Sequence, residues 1–410
     1  MKVIHTSDWH LGRTLCGRKR HQEHEAFLRW LVNQIVELKA DAVLIAGDIF
    51  DNGSPDNIAQ GLYYRFLFDV AHTPCRHVVV IGGNHDSPLF LEAPRELLRM
   101  LNVHIVGQIS DRFEDEVIPL KNSDGEIAAV VCAVPFLRDR DIRQIEAGEN
   151  MQDKHRKLLA GIQNHYQAVW ELARNTRGAD EQIPIIAMGH LFTQGGQTAE
   201  DDGVRDLYVG SLAHIPAEAF PKAIDYFALG HLHMPQRIRE RIVYSGSPIP
   251  MGFQEAGQTK KIMLITFSGQ TTDIDEMDIP SFERMETIEG DLTDILDQLG
   301  HLNADEQLVK VEIRYNGQQP AAGLREKIED ATRDTLIDVC RIRNLQLQNQ
   351  MIDFDDNDDL SEMDESEVFE RCMDQYEVPA DDRADLRASY QEILNSLLLH
   401  DSDTAGGVNP

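Results

Sequence analysis

Six short apolar runs, rich in β-branched residues, punctuate the first 270 residues: Val3-Ile4, Ala42 to Ala46, Val78 to Ile81, Ala129 to Val131, Ile185 to Met188 and Tyr226 to Leu229. Each is brief and uninterrupted, the pattern of a strand buried on both faces rather than one with a wet side. Between the first two runs the spacing turns helical, with Phe27, Trp30, Leu31, Ile35 and Leu38 along one stripe. Strands alternating with helices predict an α/β sheet protein.

After about Ser268 the texture changes. Glu286 to Glu289, Leu308 to Tyr315 and Leu336 to Ile342 read as strands, and Leu292 to Leu299 and Leu324 to Thr335 as helices. This predicts a second, small α+β domain over 275–345, behind a main domain of 1–270. Residues 351–367 are acidic and poor in large apolar groups, which predicts a linker. A helix pair is expected at 368–399, with Leu386, Tyr390, Ile393, Leu394, Leu397 and Leu398 on one side of the second helix, and a disordered tail at 400–410. Two helices cannot bury that face alone, so they should dock on something.

Composition narrows the class. Hydrophobic residues make up 42% and charged residues 27% of the 410, ordinary globular usage. No apolar run reaches the eighteen or so residues of a membrane helix, and no leader is evident at Met1, so a cytoplasmic protein is expected. Five cysteines, odd in number and without a CxxC pair, fit reduced thiols and exclude a cysteine-rich zinc site. Any metal must therefore use nitrogen and oxygen ligands. The formal charge of −31 argues against gripping polyanions by bulk charge, but residues 351–410 hold 18 acidic side chains against 3 arginines, almost half of the deficit.

Polar clusters close five of the six strand candidates: Asp8-Trp9-His10, Gly47-Asp48, Gly83-Asn84-His85-Asp86, Gly189-His190 and Gly230-His231-Leu232-His233. Ligands of open α/β sheets bind at the carboxyl ends of the strands, so these residues can converge. In an extended segment side chains two apart point the same way, which aims Asp8 with His10, and His231 with His233, at one place. Singly, each cluster could be a turn or a capped surface residue. Five of one kind, each ending a strand, point to a metal centre.

In these five elements the sequence resembles the calcineurin-like metallophosphoesterases, whose signature runs DxH, GD, GNH(D/E), GH and GHxH. Within them it is similar to the bacterial SbcD family of nuclease subunits, through His5-Thr6-Ser7-Asp8-Trp9-His10-Leu11-Gly12, Ala46 to Asp51 and Tyr244-Ser245-Gly246-Ser247-Pro248-Ile249-Pro250. The resemblance implies a sandwich of mixed β-sheets flanked by helices, with a capping domain and a C-terminal helical segment. It implies two divalent ions, most simply manganese, one held by Asp8, His10, Asp48 and His233 and the other by Asp48, Asn84, His190 and His231. It also makes His85 the proton donor to the leaving oxygen, a role suited to an imidazole, which exchanges protons near neutral pH. Asp86 is expected to orient His85. Asp51 is a departure, since archaeal and eukaryotic relatives carry a histidine there, and its role in positioning the phosphate is open.

Substrate and partners follow from the same resemblance: double-stranded DNA ends and hairpins, an SbcC-type ATPase bound through the C-terminal helices, and a homodimer through helices near Ile58 to Val70 and Phe90 to Leu101, in an assembly that sits on the nucleoid. Arg13, Arg18, Lys19 and Arg20 follow the first ligand pair, and Arg237, Arg239 and Arg241 the last, so both groups are candidates to hold DNA phosphates. Two alternatives stay open: a phosphodiesterase or phosphatase of small substrates, and a non-catalytic scaffold.

Overall fold

The computed structural model describes residues 1–142, 150–197, 215–302, 308–317 and 323–345, together with residue 383. The expected acidic linker, helix pair and tail lie outside the described residues. In chain order the strands are β1 (Lys2–Thr6), β2 (Thr14–Leu15), β3 (Arg18–Lys19), β4 (Ala42–Ala46), β5 (His77–Ile81), β6 (Val103–Val106), β7 (Val117–Lys121), β8 (Ile127–Ala133) and β9 (Ile185–His190). They continue as β10 (Tyr226–Gly230), β11 (Gln236–Arg239), β12 (Ile242–Tyr244), β13 (Lys261–Ser268), β14 (Thr271–Asp278), β15 (Arg284–Gly290), β16 (Val309–Tyr315) and β17 (Ile337–Asn344).

Two six-stranded sheets stack face to face, in the orders β14-β13-β1-β4-β5-β6 and β11-β12-β10-β9-β8-β7. Parallel strands fill the centre of each, and antiparallel strands close the edges at β13, β14, β7 and β11. Strand β4 shows why its sequence is apolar throughout: Ala42, Leu44 and Ala46 face the other sheet, while Val43 and Ile45 face the outer helices. The sheets share a core with Ile186, Met188, Ala228 and Val243 of the second sheet. Helix His21–Leu38 covers the first sheet with Phe27, Leu28, Leu31 and Ile35, and helix Asn57–Ala71, capped by the Asp56 side chain on the Ala59 N–H, lies beside it. Helix Met151–Arg177 covers the second sheet with Leu158, Ile162, Tyr166 and Val169. The first sheet runs past residue 270, because β14 pairs with β13 along its whole length.

The region after β14 is a separate small layer. Strands β15, β16 and β17 are parallel and alternate with helices Leu292–Leu302 and Leu324–Thr332 around a core of Ile288, Ile295, Leu299, Val311, Ile313 and Ile328. This cap meets the main domain through Arg18, which donates to Asp338 Oδ1 at 2.5 Å, and through the apolar contact of Leu15, Phe253 and Met285. Among the described residues no helix is long and apolar enough to cross a membrane.

Candidate metal centre

The parallel strands of both sheets end at one rim, where the sheets close up. A Cβ on Gly230 would lie 1.9 Å from the Ala46 carbonyl oxygen, so only glycine lets β10 pass β4 there. His190 bridges the same gap, its Nδ1 donating to the Ala46 carbonyl at 2.9 Å, which turns Nε2 toward the site. The turns after β1 and β4 are joined by backbone bonds, Asp8 N to Gly47 O and His10 N to Asp48 O, both 3.0 Å. Asp8, His10, Asp48 and His231 all have positive φ, between 46° and 101°. Non-glycine residues adopt this region at a cost, and here it turns the side chains off the strand axes into one pocket.

The donor atoms then gather. Those of Asp8, His10 and His233 lie within 4.8 Å of one another, as do those of Asp8, Asp48 and His190, and those of His10, Asp51 and His85. Asp48 Oδ2 is 3.5 Å from His10 Nε2 and 3.3 Å from His190 Nε2. His190 Nε2 also lies 3.0 Å from Asn84 Oδ1, and His10 Nε2 lies 3.2 Å from His233 Nε2. His231 donates its backbone N–H to Asp8 Oδ1 at 2.9 Å, while its buried Nε2 has no hydrogen-bond partner. A buried imidazole nitrogen without a partner and ring nitrogens facing each other suit cations of the N/O-ligand class. The residues present therefore fit divalent metal.

The charges are consistent with such a site. Burial drives the Asp8 carboxyl above the usual range. Burial also opposes ionisation of Asp48, but the His190 imidazole, hydrogen-bonded to it, holds it well below that range. His190 in turn is held up at about 9 despite its burial, because Asp48 faces it, whereas burial and the neighbouring His190 push His231 well down. A divalent ion would take the place of protons in balancing the two buried carboxylates.

Residues around this cluster hold it in place. His85 donates its backbone N–H to Asp48 Oδ1 at 3.0 Å, and its Nδ1 sits 2.7 Å from the Asp51 carbonyl oxygen. A carbonyl only accepts, so Nδ1 carries the proton and Nε2 is the nitrogen left for chemistry. Asp86 does not make the expected contact with His85: its carboxylate takes the backbone N–H groups of Gly83, Phe50 and Ile49 at 2.9, 3.0 and 3.2 Å, and so clamps two motif loops together. The Asp51 carboxylate sits 3.4 Å from His10 Nδ1 and 3.2 Å from Arg13; burial raises its pKa, but these partners outweigh it and bring it to about 2. A Cβ on Gly83 would lie 2.1 Å from Asp48 Oδ1, which explains the glycine before Asn84.

Further side chains support the cluster, and of these Glu255 and Lys260 carry no sequence signal of their own. Ser7 donates to Asp8 Oδ2 at 2.6 Å and meets Ser245 Oγ at 2.8 Å, which gives the serine of the Tyr244-Ser245-Gly246 motif its purpose. Glu255, fully buried, approaches His233 Nδ1 at 3.7 Å and is paired with Lys260, which also donates to the His233 carbonyl at 3.1 Å. The basic residues expected at the rim are mostly committed to single carboxylates: Arg18 to Asp338, Lys19 to Asp56, Arg237 to Glu276 and Arg241 to Asp225. Arg20 is a correction, since it is buried against Glu23 and the Pro250 carbonyl and cannot reach DNA.

Residues 1–235 match the model of the calcineurin-like phosphoesterases. The chain belongs to that family. The match covers every residue expected to bind metal in this phosphoesterase, and a second match over 281–377, to the type 5 capsule protein repressor C-terminal domain, covers the cap. Three relatives are named as the D component of the nuclease SbcCD. That of Escherichia coli K12 is 37% identical over 97% of this chain and 98% of its own length. That of Rhodobacter capsulatus is 36% identical over 66% and 67%, and that of Bacillus subtilis 33% identical over 65% and 66%. This calcineurin-like phosphoesterase is thus a hydrolase of the SbcD nuclease family, with the sandwich fold expected.

Proposed function

We propose that this chain hydrolyses phosphodiesters of double-stranded DNA at ends and hairpins, as the cytoplasmic nuclease subunit of an SbcCD-type complex on the nucleoid. The observation that carries the reading is the convergence of Asp8, His10, Asp48, Asn84, His190, His231 and His233, from both sheets, on one rim. Asp8, His10, Asp48 and His233 would hold one ion and Asp48, Asn84, His190 and His231 the other. The single Asp48 oxygen reaching imidazoles of both sets supports its place between them. This mix of imidazole, carboxylate and amide suits manganese, iron or zinc, and the family resemblance favours manganese. When bound, two such ions supply Lewis acidity and an activated water.

The chain's own residues do the rest. Asp8 and Asp48 set the charge of the pocket, Ser7 and Glu255 fix a carboxylate and an imidazole, and the near-complete burial of the ligands keeps bulk water away. His85, tethered through its Nδ1 proton, gives a second proton from Nε2 to the departing oxygen as the doubly protonated imidazolium, and is left as the neutral ring.

Two assembly contacts complete the reading. Helices Asn57–Ala71, Pro88–Glu92 and Arg95–Arg99 leave Leu89 79%, Leu97 66% and Phe68 56% exposed, with Met100 just beyond at 81%. An apolar patch of that kind suits a homodimer contact. The segment 368–399 would bind the ATPase, whose own basic surface would add to DNA binding.

The test is cleavage of a blunt duplex and a hairpin with manganese, with and without purified ATPase. Expected are cleavage by the complex, its loss on chelation, and loss of ATPase binding when 351–410 are deleted. Hydrolysis of dinucleotides alone, with no action on duplex or hairpin in the complex, would establish the small-substrate alternative instead.

A further inference from the structure

The β2–β3 hairpin, which follows closely on His10, turns back in two residues. Thr14 pairs with Lys19 and Leu15 with Arg18, so Cys16 and Gly17 alone make the turn, at φ 48° and 78°. Turns with two such residues favour asparagine, aspartate or glycine in the first place. Cysteine there bears the left-handed conformation without the local hydrogen bond that asparagine or aspartate can make. Its thiol is free and exposed.

A second free thiol stands nearby on the cap. Cys340, on β17, packs against the cluster of Leu15, Phe253 and Met285 that joins the cap to the main domain, and Leu15 is the residue just before Cys16. From the other side of the turn, Arg18 reaches Asp338 at 2.5 Å and the Val339 carbonyl at 3.4 Å, immediately before Cys340. Both residues flanking the turn therefore meet the cap beside Cys340. Cys16 and Cys340 line one cleft of about 500 Å3 between hairpin and cap, and among the described residues no other cysteine lines it. A charge on one sulfur bears on the other. The two differ in access: Cys16 meets reagents from solvent directly, whereas Cys340 is half-buried, and burial pushes its thiol up to about 11, so it reacts second.

We propose that Cys16 and Cys340 are a redox-sensitive pair, which a small disulfide of the glutathione class joins into a cross-link that fixes the cap to the hairpin. Cys16, as thiolate, attacks one sulfur of the reagent, which releases one small thiol and leaves a mixed disulfide on Cys16. Cys340 then gives up its proton, attacks the Cys16 sulfur and releases the second small thiol. Two protein thiols are oxidised, one small disulfide is reduced, and the two protons lost from the protein sulfurs end on the released thiols. A reducing compartment keeps both residues as thiols, and the bridge forms when the small disulfide accumulates. Neither thiol is among the groups gathered at the metal centre, so the bridge forms whatever that centre cuts.

The test incubates full-length wild type, Cys16→Ser and Cys340→Ala in a series of glutathione and glutathione disulfide mixtures, traps free thiols by acid and alkylation, and maps the disulfide-linked peptides. Wild type should give an intramolecular link between Cys16 and Cys340, with loss of both thiols, reversed by dithiothreitol. A neighbouring thiol on the same folded chain competes at an effective concentration of about millimolar or more, so Cys340→Ala should retain about ten times more glutathione on Cys16 than wild type does. Hydrogen exchange over residues Thr14 to Lys19 should slow about tenfold when wild type is oxidised and stay unchanged in both variants. Equal retention of glutathione on Cys16 in wild type and Cys340→Ala, or a link that joins two molecules or involves another cysteine in place of either, overturns the pairing. A link between Cys16 and Cys340 that leaves the exchange unchanged overturns the fixing of the cap. Mapping the link needs only the wild type, so it decides the pairing even where a variant folds poorly.

Discussion

The rim of the sandwich and the cap domain solve opposite problems. In the cap, β15 to β17 and their two helices follow their sequence periodicity, and no non-glycine residue between 284 and 344 that is described has positive φ. At the rim, four of the seven such residues found among the described chain are metal-ligand candidates: Asp8, His10, Asp48 and His231. Each conformation of that kind costs about 1–3 kcal/mol and persists only where its surroundings enforce it. The two sheets provide the enforcement. Local preference and packing agree in the cap, whereas the rim places buried carboxylates and imidazoles against local preference.

Substitutions should separate the two regions. Asp48→Asn should reduce cleavage by about a thousandfold or more, because it removes the charge facing both His10 and His190. Metal analysis should find the variant depleted; full metal content with near wild-type turnover would remove Asp48 from the centre. His85→Gln should lower kcat about 10²–10³-fold while metal content holds. Turnover within a few fold of wild type would end its role as proton donor. In the cap, Ile313→Ala should cost about 2–4 kcal/mol in thermal or denaturant unfolding. Turnover of a small diester by the folded variant should stay within about twofold, since Ile313 lies in the cap core, away from the rim. A large loss there would show that the cap shapes the metal centre.

The smallest effect concerns pH. His24 is fully buried beneath Trp9, and burial, aided by Arg20, lowers its pKa to about 3, below the 6.5 of an unfolded histidine. Between those values the unfolded chain binds the extra proton, so stability falls as pH drops through 6.5 toward 3, by up to about 1.4 kcal/mol per pH unit. His24→Gln should flatten the unfolding profile by one proton in that window. An unchanged slope would mean that His24 is protonated in the fold.

Much of this is readable in the chain itself. All six apolar runs form strands at the sheet centres, since burial on both faces leaves an uninterrupted apolar signature. The edge strands β7, β11 and β14 carry no such mark, because half-exposed strands hold charged residues such as Arg237, Asp273 and Glu276. The long helix Met151–Arg177 is hidden by its polar outer face. At the site, motif chemistry marks the ligand candidates, but Glu255 and Lys260 are ordinary charged residues in sequence, and only the fold shows that burial brings them to His233. Asp86 misleads for a related reason. Adjacency to His85 along the chain suggests a partnership, whereas successive side chains diverge and its carboxylate meets backbone amides instead.

The tether on His85 is a main-chain oxygen at position 51, and this settles what that position demands. Every amino acid brings the same carbonyl, so replacing one residue type by another there leaves the imidazole's anchorage in place. The side chain at 51 is thereby released from holding His85 and can be adapted to other ends. Here it is an anion leaning on His10 and Arg13. A site can therefore tolerate evolutionary drift beside its most sensitive group, provided the dependence runs through the backbone.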